Sequence, residues 1–428
     1  MCDAAGRGQA VERGGEQREV IDASAATGSR STELLVYEDP AEGFRGFLAY
    51  AGASAPLAAG GLRVQRGLRG DTIVALAEAM ALKERVLALN VDGAKCGIDY
   101  DPAAPGKHAA MLRFLRFLAP HLRDRLSLGP DMGTDFEEIE ALARQAGISS
   151  VKAAIARAQG LPEPEVLRRL QLLDEPVGAL TLGRRRAGHA LAQATLVVLG
   201  HVGAPLRQAS CALQGFGTLG RAAALSLHER GVRITAIADE HGSLRCEAGL
   251  DVPALVATPA RMPVAESGAE GTPGDRAVAL RIAVDAVVLA ACEDAMSMRE
   301  AAELPAAAVV VGANRGLSDA AEALLHERGI LAVPDFVAGA GGSAAMDALF
   351  APADAGSASS VLDRTAAVLD VLTDDVLTRA RASGIRPRQA AFELAAERSL
   401  PHAARPYGLR LLHRVADAPG PRPEAAQR

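Results

Sequence analysis

At 428 residues, with 49% hydrophobic and 23% charged positions, the chain is long enough for two domains and has ordinary globular composition. Its net charge of −6 comes with scattered arginines, Arg184-Arg185-Arg186 being the densest basic run, so no nucleic-acid partner is expected. Five irregularly spaced cysteines fit a reducing compartment, the polar N-terminus lacks a secretory apolar core, and no uninterrupted apolar run reaches spanning length, which predicts a cytoplasmic protein without membrane contact.

Residues 1 to about 32 are polar and read as a disordered tail. Leu34 to Tyr37 and Phe44 to Tyr50 read as short strands, and Gly60-Gly61-Leu62-Arg63 opens a third element. A helix starts at Asp71. Ile73, Leu76, Met80, Lys83 and Leu87 fall on one face of it, so Lys83 lies on an apolar side, where a lysine either snorkels outward or lines a cleft. Val91 to Ile98 reads as a glycine-punctuated loop entering a strand, and Leu128 to Thr134 as a tight loop. Thr134 or Asp135 is expected to cap the next helix. Residues 148–178 are helical in composition but poorly periodic. A helix from about Arg186 to Leu199 follows.

The most informative stretch is Ala209 to Asp239. An apolar run ends in Gly215-Phe216-Gly217-Thr218-Leu219-Gly220, a helical pattern continues to about Arg230, and Val232 to Ala238 reads as a second strand that ends at Asp239. Strand, glycine turn, helix, strand and acid in that order fit a dinucleotide-binding unit. The glycines let a pyrophosphate approach the backbone, and the helix N-terminus offers amide donors. Asp239 is placed to accept ribose hydroxyls and to repel a 2′-phosphate, so NAD is expected as cofactor. Arg233 and Arg245 are the reservation, since either could reach a 2′-phosphate. Residues 256–275 read as a surface loop. Further strands are expected at Ala286 to Leu289, Ala308 to Val311 and Leu331 to Val333, with long helices at 359–383 and 387–400.

By these blocks the chain resembles the glutamate/leucine/phenylalanine/valine dehydrogenase family. The resemblance runs from about Phe44 to Arg398, through Gly60 to Arg63 with Met80 to Lys83, Gly93 to Ile98 with Pro130 to Thr134, Gln214 to Gly220, and Val311 to Asn314 with Val333 to Asp335 and Ala340 to Gly342. It implies an α/β fold of two domains flanking a cleft: a tail at 1–32, a substrate and oligomerisation domain at 33–178 plus 355–428, and a doubly wound Rossmann-type NAD domain at 179–354. It also implies a homo-oligomer.

The resemblance assigns roles residue by residue. Lys83 would hold the substrate α-carboxylate, with Gly61 beside it. Lys95 would activate water and Asp131 would transfer protons. Gly215, Phe216, Gly217, Thr218, Leu219, Gly220, Asp239 and Asn314 would bind the cofactor, and no metal is expected. The ordinary alternatives are a surface-loop lysine for Lys95 and an Asx turn for Asp131. The implied reaction is reversible, NAD-dependent oxidative deamination of an L-amino acid to the 2-oxo acid and ammonia.

Side-chain choice is read from absences. The resemblance puts a lysine at Ala59 and a serine at Met346 in glutamate enzymes. Neither residue here makes a charge-assisted bond, so an apolar substrate side chain is expected. Asp92, Cys96, Ala187, Gly312 and Gly339 depart from the family pattern. They keep two other readings open: an NAD-dependent imine or ketone reductase, and a non-catalytic homologue that binds NAD or an amino acid.

Overall fold

The computed structural model describes residues 16–21, 32–52, 55–259, 261–398 and 404–416. The chain forms two sheets. The first has the order β1-β2-β3-β5-β4-β6, from β1 (Glu16–Ile21), β2 (Thr32–Glu38), β3 (Arg45–Ala51), β4 (Leu57–Gln65), β5 (Val91–Asp99) and β6 (Leu126–Pro130). The hairpins β1–β2–β3 and the β3–β5 pair are antiparallel; β4 runs parallel to both β5 and β6.

Helices cover both faces of this sheet. On one, α1 (Gly70–Val86) lays Ile73, Val74, Ala77 and Ala81 over Leu34, Val36, Phe47, Ala49 and Ala51. On the other, α2 (Lys107–Asp124) and α3 (Phe136–Gln145) bury a core around Leu48, Leu62, Ile98 and Phe114. Phe114 is fully buried, and truncating such a ring to alanine costs roughly 3–5 kcal/mol. Asp135 caps α3 by accepting the Glu138 amide at 2.8 Å, as expected.

Along the chain the two sheets are separated by α4 (Ala154–Gln159), α5 (Glu163–Gln171), the two-residue strands β7 (Pro176–Val177) and β8 (Leu180–Thr181), and α6 (Leu182–His201). The second sheet has the order β12-β11-β10-β9-β13-β14-β15. Its parallel part is β9 (Ser210–Gln214), β10 (Arg233–Ala238), β13 (Val284–Leu289), β14 (Ala306–Val311) and β15 (Leu331–Val333). The short strands β11 (Ser243–Arg245) and β12 (Thr272–Gly274) extend one edge antiparallel. From β9 the chain first adds β10 on one side and later β13 on the other. This strand-order reversal is the topological switch of a doubly wound sheet.

One face of the second sheet packs on α6, α7 (Thr218–Glu229) and α8 (Val252–Ala257); the other packs on α9 (Met298–Glu303) and α10 (Asp319–Glu327). The chain then forms α11 (Asp335–Ala338), α12 (Gly341–Phe350), α13 (Ala358–Ser383), α14 (Pro387–Glu397) and α15 (Arg410–Ala416). α13 lies along α6 and α12, and α14 packs on α1 and α13, so the C-terminal helices touch both sheet units. Buried Asp347 anchors the return by accepting the Gly408 and Leu409 amides at 2.8 and 3.1 Å. Among the described residues no helix is long and apolar enough to cross a membrane.

Four local expectations need correction. Glu16–Ile21, within the stretch read as a disordered tail, is a strand paired with β2; a ladder is made by backbone groups and needs no apolar run. Residues 1–15, 22–31 and 417–428 lie outside the described residues. Val91–Asp99 is strand throughout, not a loop that becomes one. Its Gly93 is required by close packing: a Cβ there would lie 2.2 Å from the Ala77 carbonyl oxygen and 2.3 Å from the Ala81 nitrogen of α1. β6 extends through Pro130, so the turn begins only at Asp131. The presumed loop at 256–275 contains β12.

Candidate active site in the cleft

The pleat of the first sheet explains how the site is built. In β5, Ala94, Cys96 and Ile98 face the α2 core, so Gly93, Lys95 and Gly97 face the other way. Ala59 pairs with Gly93 and Ser127, Gly61 with Gly129, and Arg63 with Gly97. One face of β5-β4-β6 therefore carries Lys95, Ala59, Gly61, Arg63 and Ser127, with Asp131 just past the end of β6. The same alternation turns Asp92 and Cys96 away. Asp92 bonds Arg125 at 3.1 Å, and Cys96 is fully buried in the α2 core. These two departures from the family pattern thus lie off the cleft floor.

On that floor Lys95 Nζ lies 3.0 Å from Asp131 Oδ1, and Arg63 Nε donates to Asp131 Oδ2 at 2.6 Å. Gly61 makes the meeting possible: a Cβ there would come within 3.1 Å of Asp131 Cβ and 3.3 Å of Lys95 Nζ. Burial works against the charge on Asp131, but Lys95 and Arg63 outweigh it and hold the carboxyl below its usual range. Arg63 also reaches Glu293 Oε1 at 3.2 Å, from the loop after β13, and so ties the two sheet units together.

Lys83, on the last turn of α1, is buried and donates to Asn314 Oδ1, beyond β14. Burial lowers its pKa and Lys95 adds to the effect, against opposing pulls from Asp335, Asp131 and Glu84. Asp335 accepts the Arg315 amide at 2.9 Å and so orders the turn that carries Asn314. Next to Lys83, burial pushes the Glu84 carboxyl up to about 7; it accepts a hydrogen bond from Ser343 of α12 at 2.5 Å. Ala59 is half-buried on the floor, whereas Met346 is buried one turn into α12. Ala187 backs onto Gly341 at the start of α12: a Cβ on that glycine would lie 3.0 Å from the Ala187 carbonyl. Gly339 and Gly312 also meet backbone to backbone, since a Cβ on Gly339 would lie 2.6 Å from the Gly312 oxygen.

The glycine turn sits at the carboxyl end of β9, at the switch point. Gly215 has φ +110°, and a Cβ there would lie 2.5 Å from the Ala290 carbonyl carbon. A Cβ on Gly220 would lie 2.0 Å from the Gly215 oxygen, while Gly217 faces open space. α7 begins at Thr218 and Leu219 with no side-chain cap. Its first-turn amides and the room at Gly217 fit a dinucleotide pyrophosphate. Phe216 is buried beneath Arg221, whose guanidinium stacks 4.6 Å from the ring centroid. Arg221 also donates to the Leu255, Val256 and Thr258 carbonyls at the end of α8. Asp239 Oδ1 accepts the His241 and Gly242 amides, and Oδ2 accepts the Val264 amide at 2.6 Å. Asp239 therefore also fastens the loop after β10, a duty the sequence pattern does not reveal.

Sequence reasoning passed over Arg63 as a member of the site, although its spacing of two from Gly61 on one strand was a usable signal. It also passed over Glu293 and Glu84, which meet Arg63 and Lys83 only through tertiary packing.

A mixed-sheet unit and a doubly wound Rossmann-type unit meeting at a lysine-lined cleft define a two-domain α/β protein of the amino acid dehydrogenase fold. The chain belongs to the Glutamate/Leucine/Phenylalanine/Valine dehydrogenase family, whose model matches residues 181–404, while the family's dimerisation-domain model matches residues 34–147. Among its relatives, the NAD-specific glutamate dehydrogenase A of Halobacterium salinarum is 29% identical over 66% of this chain and 63% of its own length. The NADP-specific glutamate dehydrogenase A1 of the same organism is 30% identical over 66% of each chain. The match thus spans somewhat under two thirds of these relatives. The leucine-bound hetero-hexameric glutamate dehydrogenase from Thermus thermophilus superposes with a TM-score of 0.67 at 26% identity, covering 86% of this chain and 88% of that one.

Proposed function

We propose that this protein catalyses reversible, NAD-dependent oxidative deamination of an L-amino acid. The observation that carries the reading is the triad of Arg63, Asp131 and Lys95 on the cleft floor, with Lys83 beside it and an uncapped glycine turn on the facing domain. Lys83 takes the substrate α-carboxylate, exchanging its bond to Asn314 for a charge-assisted one. Asp131, held ionised, accepts a proton from the substrate ammonium, which frees the nitrogen lone pair. The glycine turn from Gly215 to Gly220 and the first-turn amides of α7 would hold NAD, which would supply the acceptor for the hydride on Cα. Lys95, as an ammonium, orients the water that adds to the iminium carbon and stabilises the negative charge that develops on its oxygen. Asp131 gives its proton to the nitrogen and takes one from the adding water; ammonia then leaves with the hydroxyl proton as the carbonyl forms, and Asp131 releases its remaining proton to solvent.

Asp239, directly after β10, supports NAD over NADP, because an acid at the end of the second strand of such a unit accepts ribose hydroxyls and repels a 2′-phosphate. Its bonds to three amides hold it there as an acceptor. The dimerisation-domain match supports a homo-oligomer built through the first sheet unit. Ala59 and Met346 carry no charge, which supports an apolar side chain on the substrate. A specific observation, the buried Lys152 one strand from Ala59 with the Arg186 charge acting on it, supports a second reading of the side chain, argued below. The test is NADH formation with equimolar ammonia across a panel of L-amino acids. NADH with a product that keeps its nitrogen would favour an imine or ketone reductase instead. Binding without any turnover would favour a non-catalytic role.

A further inference from the structure

Lys152 lies in the turn between α3 and α4 and is 5% exposed. Its Nζ reaches Ser127 Oγ at 3.4 Å and lies 5.9 Å from the centroid of the Phe136 ring. Ser127 is the register partner of Ala59 and points to the same face, so the ammonium group stands one strand away from Ala59. Arg186 approaches from the other domain, on the first turns of α6. Its Nη1 donates to the Gly342 carbonyl at 3.3 Å, four residues before Met346, and its Nε is buried with no partner. A Cβ on Gly342 would meet nothing within 4 Å, so there is open space at this point.

The charges here do not balance. Neither Lys152 nor Arg186 forms an ion pair among the described residues. The carboxylates acting on Lys152 are Glu140 and Glu84, and each is bonded elsewhere: Glu140 to Ser150 at 2.7 Å and Arg144 at 3.7 Å, Glu84 to Ser343. Burial, reinforced by the Arg186 charge, pulls Lys152 down to about 7. Two like charges without a counterion in a buried place are unfavourable, and an arriving anion relieves both.

We infer that Lys152 and Arg186 form an anion subsite at the side-chain end of the cleft, which takes a carboxylate at the tip of the substrate's side chain. The inference rests on the deamination reading for what occupies the rest of the cleft. It replaces the expectation drawn from Ala59 and Met346: the cation absent from β4 is supplied from the α3–α4 turn and from α6. A dicarboxylic amino acid is then held at both ends, by Lys83 at one and by Lys152 with Arg186 at the other.

The test is calorimetric titration of the full-length protein with glutarate and with pentanoate, which differ only in the second carboxylate. Glutarate is expected to bind at least tenfold more tightly. Lys152→Met and Arg186→Met should each reduce that preference at least tenfold, and Lys152→Arg should retain most of it, with circular dichroism confirming native folding. Equal binding of the two acids by the unaltered protein, or a preference that survives in both folded methionine variants, overturns the subsite. Ammonia release from leucine with no glutarate preference leaves deamination standing and removes the subsite. A glutarate preference lost in the variants, with no amino acid deaminated, does the reverse.

Discussion

Lys95 and Asp131 meet at 3.0 Å beside Gly61, where a Cβ would crowd both, at 3.1 Å from Asp131 Cβ and 3.3 Å from Lys95 Nζ. The pair is held from its far side by Arg63, at 2.6 Å from the other carboxylate oxygen. A carboxylate gripped on both oxygens is fixed in orientation and kept ionised, which suits it to take a proton from an ammonium group rather than to give one first.

On the proposed mechanism Arg63 is a positioning residue. Arg63→Met is expected to lower kcat by about 100-fold, the low end of what a lost catalytic proton transfer costs, with a smaller change in amino acid KM. Losing one of its two cationic partners raises the pKa of Asp131, so the acid limb of the kcat/KM profile should move to higher pH. Arg63→Lys should restore part of both. A kcat loss with no shift of the acid limb would leave Arg63 a merely structural role.

Lys83 bridges the domains through Asn314 as well as facing the cleft. Lys83→Ala is expected to raise amino acid KM by on the order of 100-fold, through loss of a charge-assisted bond worth roughly 1.5–3 kcal/mol, while NAD affinity measured by fluorescence changes far less. An equal loss in both would mean that the residue acts through the interdomain contact alone.

Asp239→Ser should reduce the preference for NAD over NADP in calorimetric titration. Because three backbone amides bond this carboxylate, hydrogen exchange should also quicken at His241, Gly242 and Val264. Tighter NADP than NAD binding by the unaltered protein would contradict the NAD assignment and turn attention to Arg233 and Arg245.

Glu84 gives a stability prediction with a defined sign. Burial raises its carboxyl from 4.5 to about 7, so between those values the folded protein holds a proton that the unfolded chain releases. Its contribution is fully present below about 4.5 and is lost as pH rises through about 7. Glu84→Gln removes this dependence. Relative to the variant, the unaltered protein should lose about 3 kcal/mol at most between pH 4.5 and 8 in urea denaturation. Parallel pH curves would show that Glu84 is ionised throughout. Asp347, raised by burial to about 6, contributes in the same sense in both proteins.

Much of the fold was legible because its signals are local. The run from Ala209 to Asp239 carries its own strand, glycine turn, helix and acid, and the structure has β9, α7 and β10 there. The Val91–Asp99 strand was partly misread because glycine serves both turns and close helix packing, and only the position of α1 over Gly93 distinguishes them. The grouping of Lys83, Lys95 and Asp131 could be expected only by resemblance, since they lie on a helix, a strand and a turn. Lys152 and Arg186 were beyond local reading. Nothing in a turn after residue 148 or in a run of three arginines marks two cations that approach each other across a domain boundary. The apolar expectation built on Ala59 and Met346 considered two positions, while the charge balance of the cleft depends on all of its walls.

The most direct measurement is the stoichiometry of NADH and ammonia formed by the unaltered protein and by Lys95→Ala, across L-amino acids with apolar and acidic side chains. The account predicts one ammonia per NADH with at least one of them. It also predicts a loss of at least about 100-fold in kcat for Lys95→Ala and little change in NAD affinity. NADH formed without ammonia, or turnover that survives the loss of Lys95, would contradict it.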